Sequence, residues 1–193
     1  IGVVGGGTMG SGIAIATLNA GIPVTMIEQD TQSIKKGRYN VEKVYERDIK
    51  KGKLSESALG NILAQFNTST DFDTLSQADI VIEAVFEEMS VKQKVFQILD
   101  QVIKPGGVLA SNTSYLDINE IAAMTSRPSD VIGLHFFSPA NIMRLLEIVV
   151  PKKISDDVVA TGFSLAKKMR KIPVRAGVCD GFIGNRILNN YGD

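Results

Sequence analysis

The residues Ile1–Gly10, "IGVVGGGTMG", set a short apolar run directly before glycines at Gly5, Gly7 and Gly10. The run reads as a strand, and an apolar helical pattern opens at Met9. Three glycines at this spacing are a weak signal by themselves, but between a strand and a helix they have a physical use. The first permits a tight turn. The second lets backbone N–H groups approach a pyrophosphate, and the third lets helix and strand pack closely. The anion then sits at a helix N-terminus, where unpaired N–H groups and the helix dipole favour it. Thr8 and Met9 lie between the second and third glycines and are counted with them as binding residues.

A second apolar run, Val24–Ile27, ends on Glu28, 18 residues after Gly10. An acid at that place hydrogen-bonds the adenosine ribose of a dinucleotide. Its charge would also repel a ribose 2′-phosphate, so the expected cofactor is NAD rather than NADP.

Further along, short apolar runs alternate with longer amphipathic ones. Ile80–Glu83, Val108–Ser111 and Val131–His135 read as strands, each with the near-continuous apolar character of a sheet covered on both faces. Met9–Ala20, Thr31–Lys51, Ser55–Ala64, Val91–Ile103 and Ile118–Met124 read as helices. After His135 come two more strands, Leu145–Val150 and Pro173–Ala176, around the helix Asp156–Met169. This alternation predicts an α/β chain: a Rossmann-type, doubly wound, mostly parallel sheet with helices on both faces. The charged segment Lys35–Lys53 reads as a solvated helix face. A sharper reading puts Lys50 and Lys51 near the phosphorylated tail of a substrate.

Bulk composition narrows the partners. Lys+Arg and Asp+Glu are equal at 21 each, and no basic stripe with interleaved aromatics appears, so nucleic acid is not expected. No apolar run approaches the roughly 20 residues needed to span a bilayer. The single Cys179 excludes an internal disulfide framework and a cysteine zinc cluster, and no metal is expected.

In open α/β sheets, ligands bind beyond the carboxyl ends of the strands. Polar groups gather there: Glu87 and Lys92 after the strand ending at Glu83, "SNTSYLD" after the strand ending at Ser111, and His135 itself. His135 is the only histidine in the chain. A lone histidine at a strand end is more often structural than catalytic. Beside a dinucleotide site the balance changes, because oxidation of an alcohol needs a base for the hydroxyl proton, and imidazole titrates near neutrality. Glu147 lies in the strand-like run "LLEIVV", where an acid is costly unless partnered. A buried Glu147 beside His135 explains both.

Five ordered stretches carry a resemblance: "GVVGGGTMGSGIA", "DIVIEAVFE", "ASNTSYLDI", "GLHFFSPANIMRLLEIV" and "GFIGNR". Over essentially its whole length the chain resembles the NAD-binding domain of L-3-hydroxyacyl-CoA dehydrogenases. "FSPANIMRLLE" and "GFIGNR" look most like the dehydrogenase part of multifunctional fatty-acid β-oxidation enzymes. The resemblance implies NAD-dependent oxidation of (S)-3-hydroxyacyl-CoA to 3-oxoacyl-CoA, with His135 as base and Glu147 as its partner acid. It implies that Ser114 hydrogen-bonds the substrate near its 3-oxygen, and that Asn185 helps to fix substrate and base. Glu87, Lys92 and Ser114 correspond to positions near the nicotinamide half of the cofactor. Ser138 stands where many single-function members carry Asn.

The family implies further domains: often an enoyl-CoA hydratase before this one, and a helical C-terminal domain after it that supplies dimer contacts and closes over the acyl-CoA. A start inside a strand and a helical pattern begun near Asn185 fit such a parent. The expected division is 1–184 for the NAD-binding domain and 185–193 for the beginning of the link to the helical domain. The compartment would be the cytoplasm in a bacterium, otherwise the peroxisome or the mitochondrial matrix. Two rivals stand beside this reading. A dehydrogenase of free hydroxy acids would commonly use a lysine base, which "LHFFSP" with a distant Glu does not match. A non-catalytic nucleotide-binding relative would have no need to keep Ser114, His135, Glu147 and Asn185 together.

Overall fold

A computed structural model describes residues 1–191. Its element order is β1 (Gly2–Val4), α1 (Thr8–Asn19), β2 (Val24–Ile27), α2 (Thr31–Lys50), α3 (Glu56–Leu63), β3 (Phe66–Ser69), β4 (Ile80–Glu83), α4 (Met89–Val102), β5 (Val108–Ser111), α5 (Ile118–Ala122), β6 (Val131–Phe136), β7 (Leu145–Val150), α6 (Asp156–Lys168), β8 (Ile172–Gly177) and α7 (Gly184–Tyr191). The eight strands form one sheet in the order β3-β2-β1-β4-β5-β6-β7-β8. Every neighbouring pair is parallel except β6–β7. The strand order reverses between β1 and β4, and the crevice opens at that switch point.

The expected strands and helices are all present, with ends shifted by a residue or two. β3 is the addition. Its sequence, "FNTS", buries only Phe66 and leaves polar residues along a sheet edge, so it has no apolar run to announce it. A strand in the middle of the sheet, such as β4, is buried at every position, and its composition shows that.

Two apolar layers hold the helices to the sheet. One packs α1, α2 and α6 on one face, with Ile13, Ile15, Val41, Leu134, Ile148 and Leu165 at its centre. The other packs α4 and α5 on the opposite face, around Val81, Phe96, Leu99, Leu109, Ile118 and Val149. Local chemistry starts the helices. Asp30 accepts from the Ser33 N–H at 2.7 Å to cap α2, and Ser55 accepts from the Ala58 N–H at 3.1 Å to cap α3. The charged helix α2 fully buries only Gly37, Val41 and Tyr45, one stripe at fourfold spacing; Val44 packs beside them against the core, while Lys35, Lys36, Lys43, Glu46, Arg47 and Lys50 face solvent. Among the described residues no helix is long and apolar enough to cross a membrane. The expected division at 184/185 falls one residue inside α7, and its last two residues, 192–193, lie outside the described residues.

Candidate active site

The glycine loop leaves β1 and enters α1. Gly5 has φ +99°, a left-handed conformation, and a Cβ there would lie 2.8 Å from the Ala84 carbonyl oxygen. A Cβ on Gly10 would lie 1.8 Å from the Gly5 carbonyl oxygen, so strand and helix touch there. Gly7 differs: nothing comes within 4 Å of its Cβ position. α1 begins beside it with no side-chain cap and no acid in its first turn, and Gly7 and Thr8 are exposed. The free amides therefore face an open cradle, as an anion site requires.

Glu28 joins this loop at the end of β2. Its Oε1 accepts from the Gly6 N–H, and the Gly6 carbonyl accepts from the Ser11 hydroxyl at 2.8 Å and the Asn40 amide at 3.1 Å. Glu28 thus braces the glycine loop and also lines the adjoining groove. That groove, about 520 Å³, runs over the ends of β1, β2 and β4 and is walled by Phe72, Val85, Val91, Val95 and Ile98. An apolar slot beside an open row of amides, with a carboxylate between them, fits adenosine, ribose and pyrophosphate in that order.

At the far end of the crevice, β6 and β7 are antiparallel, and their register sets His135 directly opposite Glu147. The 12-residue separation in sequence becomes a cross-strand pair. The Nδ1–Oε2 distance is 2.7 Å, with His135 3% exposed and Glu147 0%. The other carboxylate oxygen, Oε1, accepts from the Ile183 N–H at 3.1 Å and the Gly184 N–H at 2.7 Å. The "GFIGNR" stretch thereby docks onto the pair. Gly181 and Phe182 both have positive φ, +66° and +49°, which turns the chain so that these amides point at Glu147. A Cβ on Gly184 would lie 2.7 Å from the Phe137 ring, so a larger residue would push that contact apart. The rings of Phe137 and Phe182 lie 4.5 and 5.6 Å from the imidazole, centroid to centroid. Asn185 follows Gly184 on the first turn of α7.

Between these two ends sits a third cluster. Glu87 Oε1 accepts from the Thr113 hydroxyl at 2.5 Å, the Ser114 N–H at 2.8 Å and the Tyr115 N–H at 3.2 Å. Burial alone would raise the Glu87 pKa, but the Thr113 hydroxyl, Lys92 and the Ser114 N–H together hold it below the ordinary carboxylate value. Lys92 is 1% exposed, with its ammonium on Glu83 Oε1 at 2.6 Å, Glu87 Oε2 at 3.2 Å and the Val85 carbonyl at 3.3 Å.

The candidates read from the sequence thus fall into three connected places: Gly5, Gly7, Thr8, Met9, Gly10 and Glu28 at one end, Glu87, Lys92 and Ser114 in the middle, and His135, Glu147 and Asn185 at the other. Lys50 and Lys51 are exposed at the end of α2 and are not part of the groove lining. Sequence reasoning passed over Glu83, Asn112, Phe137 and Phe182. Glu83 is, like Glu147, an acid in an apolar strand, but it stands at the strand's last position. Asn112 is buried and accepts from the Phe136 N–H at 2.9 Å, which fixes the end of β6 beside His135.

Fold and site define a class: a dinucleotide-binding Rossmann domain of the dehydrogenase type, with a buried His–Glu pair at the end of its crevice. Residues 1–179 match the family model described as 3-hydroxyacyl-CoA dehydrogenase, NAD binding domain, and the chain belongs to that family. Its cofactor is NAD. The chain is 44% identical over 191 residues to the human peroxisomal bifunctional enzyme, covering 99% of this chain and 26% of that protein. It is 39% identical to a probable 3-hydroxybutyryl-CoA dehydrogenase of Bacillus subtilis, covering 96% of this chain and 65% of that one. The crystal structure of (S)-3-hydroxybutyryl-CoA dehydrogenase PaaH1 from Ralstonia eutropha superposes with a TM-score of 0.94 at 39% identity, over 97% of this chain and 66% of that one. The chain spans about a quarter of the length of the bifunctional relatives it matches.

Proposed function

We propose that the chain is the cofactor-binding part of an enzyme that oxidises (S)-3-hydroxyacyl-CoA to 3-oxoacyl-CoA in fatty-acid β-oxidation. The observation that carries this reading is the buried His135–Glu147 pair on the sheet edge that also bears the dinucleotide cradle. Bound NAD supplies the hydride acceptor. Glu147 accepts from the Nδ1–H of His135, so the lone pair of Nε2 is left to take the proton of the 3-hydroxyl. The carboxylate then stabilises the imidazolium as it forms and keeps the ring from turning. Phe137 and Phe182 shield the ring from water, which strengthens the ion pair created in the reaction. Ser114 and Asn185 hold the substrate near its 3-oxygen, and the acyl chain and coenzyme A leave the crevice toward a further domain of the parent protein.

That parent is a larger enzyme, either a multifunctional one or a dimer completed by a helical C-terminal domain. Named relatives include peroxisomal eukaryotic proteins and bacterial dehydrogenases, so the proposed setting is the peroxisome in a eukaryote or the cytoplasm in a bacterium. The test is consumption of NADH with acetoacetyl-CoA, measured for the full-length parent beside this domain. Turnover by the parent, with NAD bound by both, is the expected result. A parent that binds NAD yet leaves acetoacetyl-CoA untouched would overturn the reading.

A further inference from the structure

Gly6 and Gly7 carry no Cβ, so their own side chains do not limit how the peptide between them turns. That peptide is planar and trans, and its C=O and N–H point in opposite directions. Turned one way, it offers the Gly7 N–H to the cradle. Turned the other way, it offers a carbonyl oxygen, whose negative end repels a pyrophosphate. Two side chains decide between these orientations. The Gly6 carbonyl accepts from the Ser11 hydroxyl at 2.8 Å and from the Asn40 amide at 3.1 Å. The Gly7 N–H points away from both donors, and among the described residues it makes no hydrogen bond. It lies where Gly7 is exposed and nothing approaches its Cβ position.

The two donors come from different helices. Ser11 is buried on the first turn of α1, and Asn40 reaches in from α2, 34 residues from Gly6. α2 comes this close because the facing positions are both glycine. A Cβ on Gly6 would lie 2.9 Å from the Gly37 Cα, and a Cβ on Gly37 would lie 3.2 Å from the Gly6 Cα. Asn40 stands nearly one turn beyond Gly37, on the same side of the helix. The helix with the charged outer face thus meets the glycine loop on its inner one. Glu28 holds the preceding peptide through the Gly6 N–H, so both peptides of Gly6 are fixed by side chains from outside the loop or beyond its turn. We propose that Ser11 and Asn40 are positioning residues for the cofactor: they clamp the Gly6 carbonyl and thereby aim the Gly7 N–H at the pyrophosphate. They act through the Gly6–Gly7 peptide and not by contact with the cofactor. This inference rests on the reading of the glycine loop as the pyrophosphate cradle given above.

The test uses the full-length protein and two probes that share the adenosine end. ADP-ribose carries the pyrophosphate and adenosine does not. The affinity of each is measured by calorimetry and by displacement of NAD. Ser11→Ala and Asn40→Ala each weaken ADP-ribose by about twofold to tenfold, the worth of one neutral hydrogen bond, while adenosine is held as before. Either donor alone still restrains the carbonyl, so the double variant loses more than the product of the two single losses. Equal weakening of adenosine and ADP-ribose would mean that these bonds only shape the groove, and would overturn the proposal. So would a double variant with unchanged ADP-ribose affinity. A double loss no larger than the product of the single ones would show that the two donors do not share one peptide, and it overturns the clamp as well. If the double variant melts below the assay temperature, the single variants carry the same comparison of the two probes. Failure of the cradle reading itself is seen separately, as an unsubstituted protein that binds adenosine as tightly as ADP-ribose.

Discussion

Glu147 stands directly across the antiparallel β6–β7 pair from His135 and bonds its Nδ1 at 2.7 Å, while the other carboxylate oxygen takes two amides at the start of α7. One side chain therefore orients the imidazole and anchors the segment that carries Asn185. The two jobs can be separated. His135→Gln in the full-length enzyme removes the imidazole proposed as base and leaves the backbone bonds of Glu147 intact. Turnover of 3-hydroxyacyl-CoA should fall by about 10²–10⁴-fold, the range for a lost general base, with NAD affinity little changed. Steady-state kinetics beside a calorimetric NAD titration would check it, and near-normal turnover would remove His135 from the chemistry.

Glu147→Ala should act on both jobs at once. It leaves two part-buried N–H groups and a buried imidazole without their acceptor, and an unsatisfied buried donor costs about 1–3 kcal/mol. The melting temperature should drop by several degrees, in addition to the catalytic loss. Glu147→Gln keeps an acceptor toward one side, so it should lose activity with a smaller fall in melting temperature. Equal thermal effects from the two substitutions would argue that the amide contacts carry no stability.

Much of this site was legible because burying a carboxylate is costly enough to leave a mark. Glu147 stands out in "LLEIVV" for that reason, and the lone histidine was the economical partner for it. The same rule applied to "IVIE" would have exposed Glu83. It was hidden by position: an acid at a strand end passes for a solvated loop residue, and only the fold shows that this end lies at the sheet's switch point beneath two loops. The burial of Lys92 was hidden as well. A lysine four residues into a helix is ordinarily solvated, and nothing local says that three acceptors enclose it. β3 stayed invisible because an edge strand need not be apolar. The aromatic shielding by Phe182 depends on a left-handed turn at residues 181–182, which the sequence alone does not require.

Glu28 carries two burdens in the same way. Its Oε1 braces the Gly6 amide, and its place in the groove wall suits a ribose hydroxyl. Glu28→Ala should weaken NAD by about 10-fold to 10²-fold, the worth of a hydrogen bond to a charged group. Discrimination against NADP should fall, since the repulsive charge is gone. Paired titrations with the two cofactors would show it. An unchanged NAD to NADP ratio would exclude Glu28 from contact with the ribose.

Glu87 gives the domain an acid-sensitive point. Its carboxyl sits below its ordinary pKa when folded, so the unfolded chain binds its proton more readily. The stabilisation is fully present above the ordinary carboxylate value, near ~4.3, and is lost as pH falls toward the lower folded value. The side chain is 38% exposed, so the effect is a shallow slope rather than a collapse. Melting temperatures measured from neutral pH down to about pH 3 should fall less steeply for Glu87→Gln than for the unsubstituted protein. Parallel curves would mean that the Thr113, Ser114 and Lys92 contacts do not survive in solution.

The glycine loop offers a contrast within three residues. Ala at Gly10 would drive its Cβ to 1.8 Å from the Gly5 carbonyl, and backbone cannot swing aside as a side-chain tip can. Gly10→Ala should therefore separate β1 from α1, destabilise the fold by about 1–3 kcal/mol as overpacking does, and abolish NAD binding with it. Ala at Gly7 meets nothing within 4 Å, and its N-cap φ of −70° suits any residue. Gly7→Ala should melt at nearly the same temperature as the unsubstituted domain yet bind NAD poorly, because the added methyl would stand in the space where the pyrophosphate approaches the amides. Thermal melts and NAD titrations of the two variants together separate packing from binding. If Gly7→Ala bound NAD normally, the cradle would have to lie elsewhere along the loop.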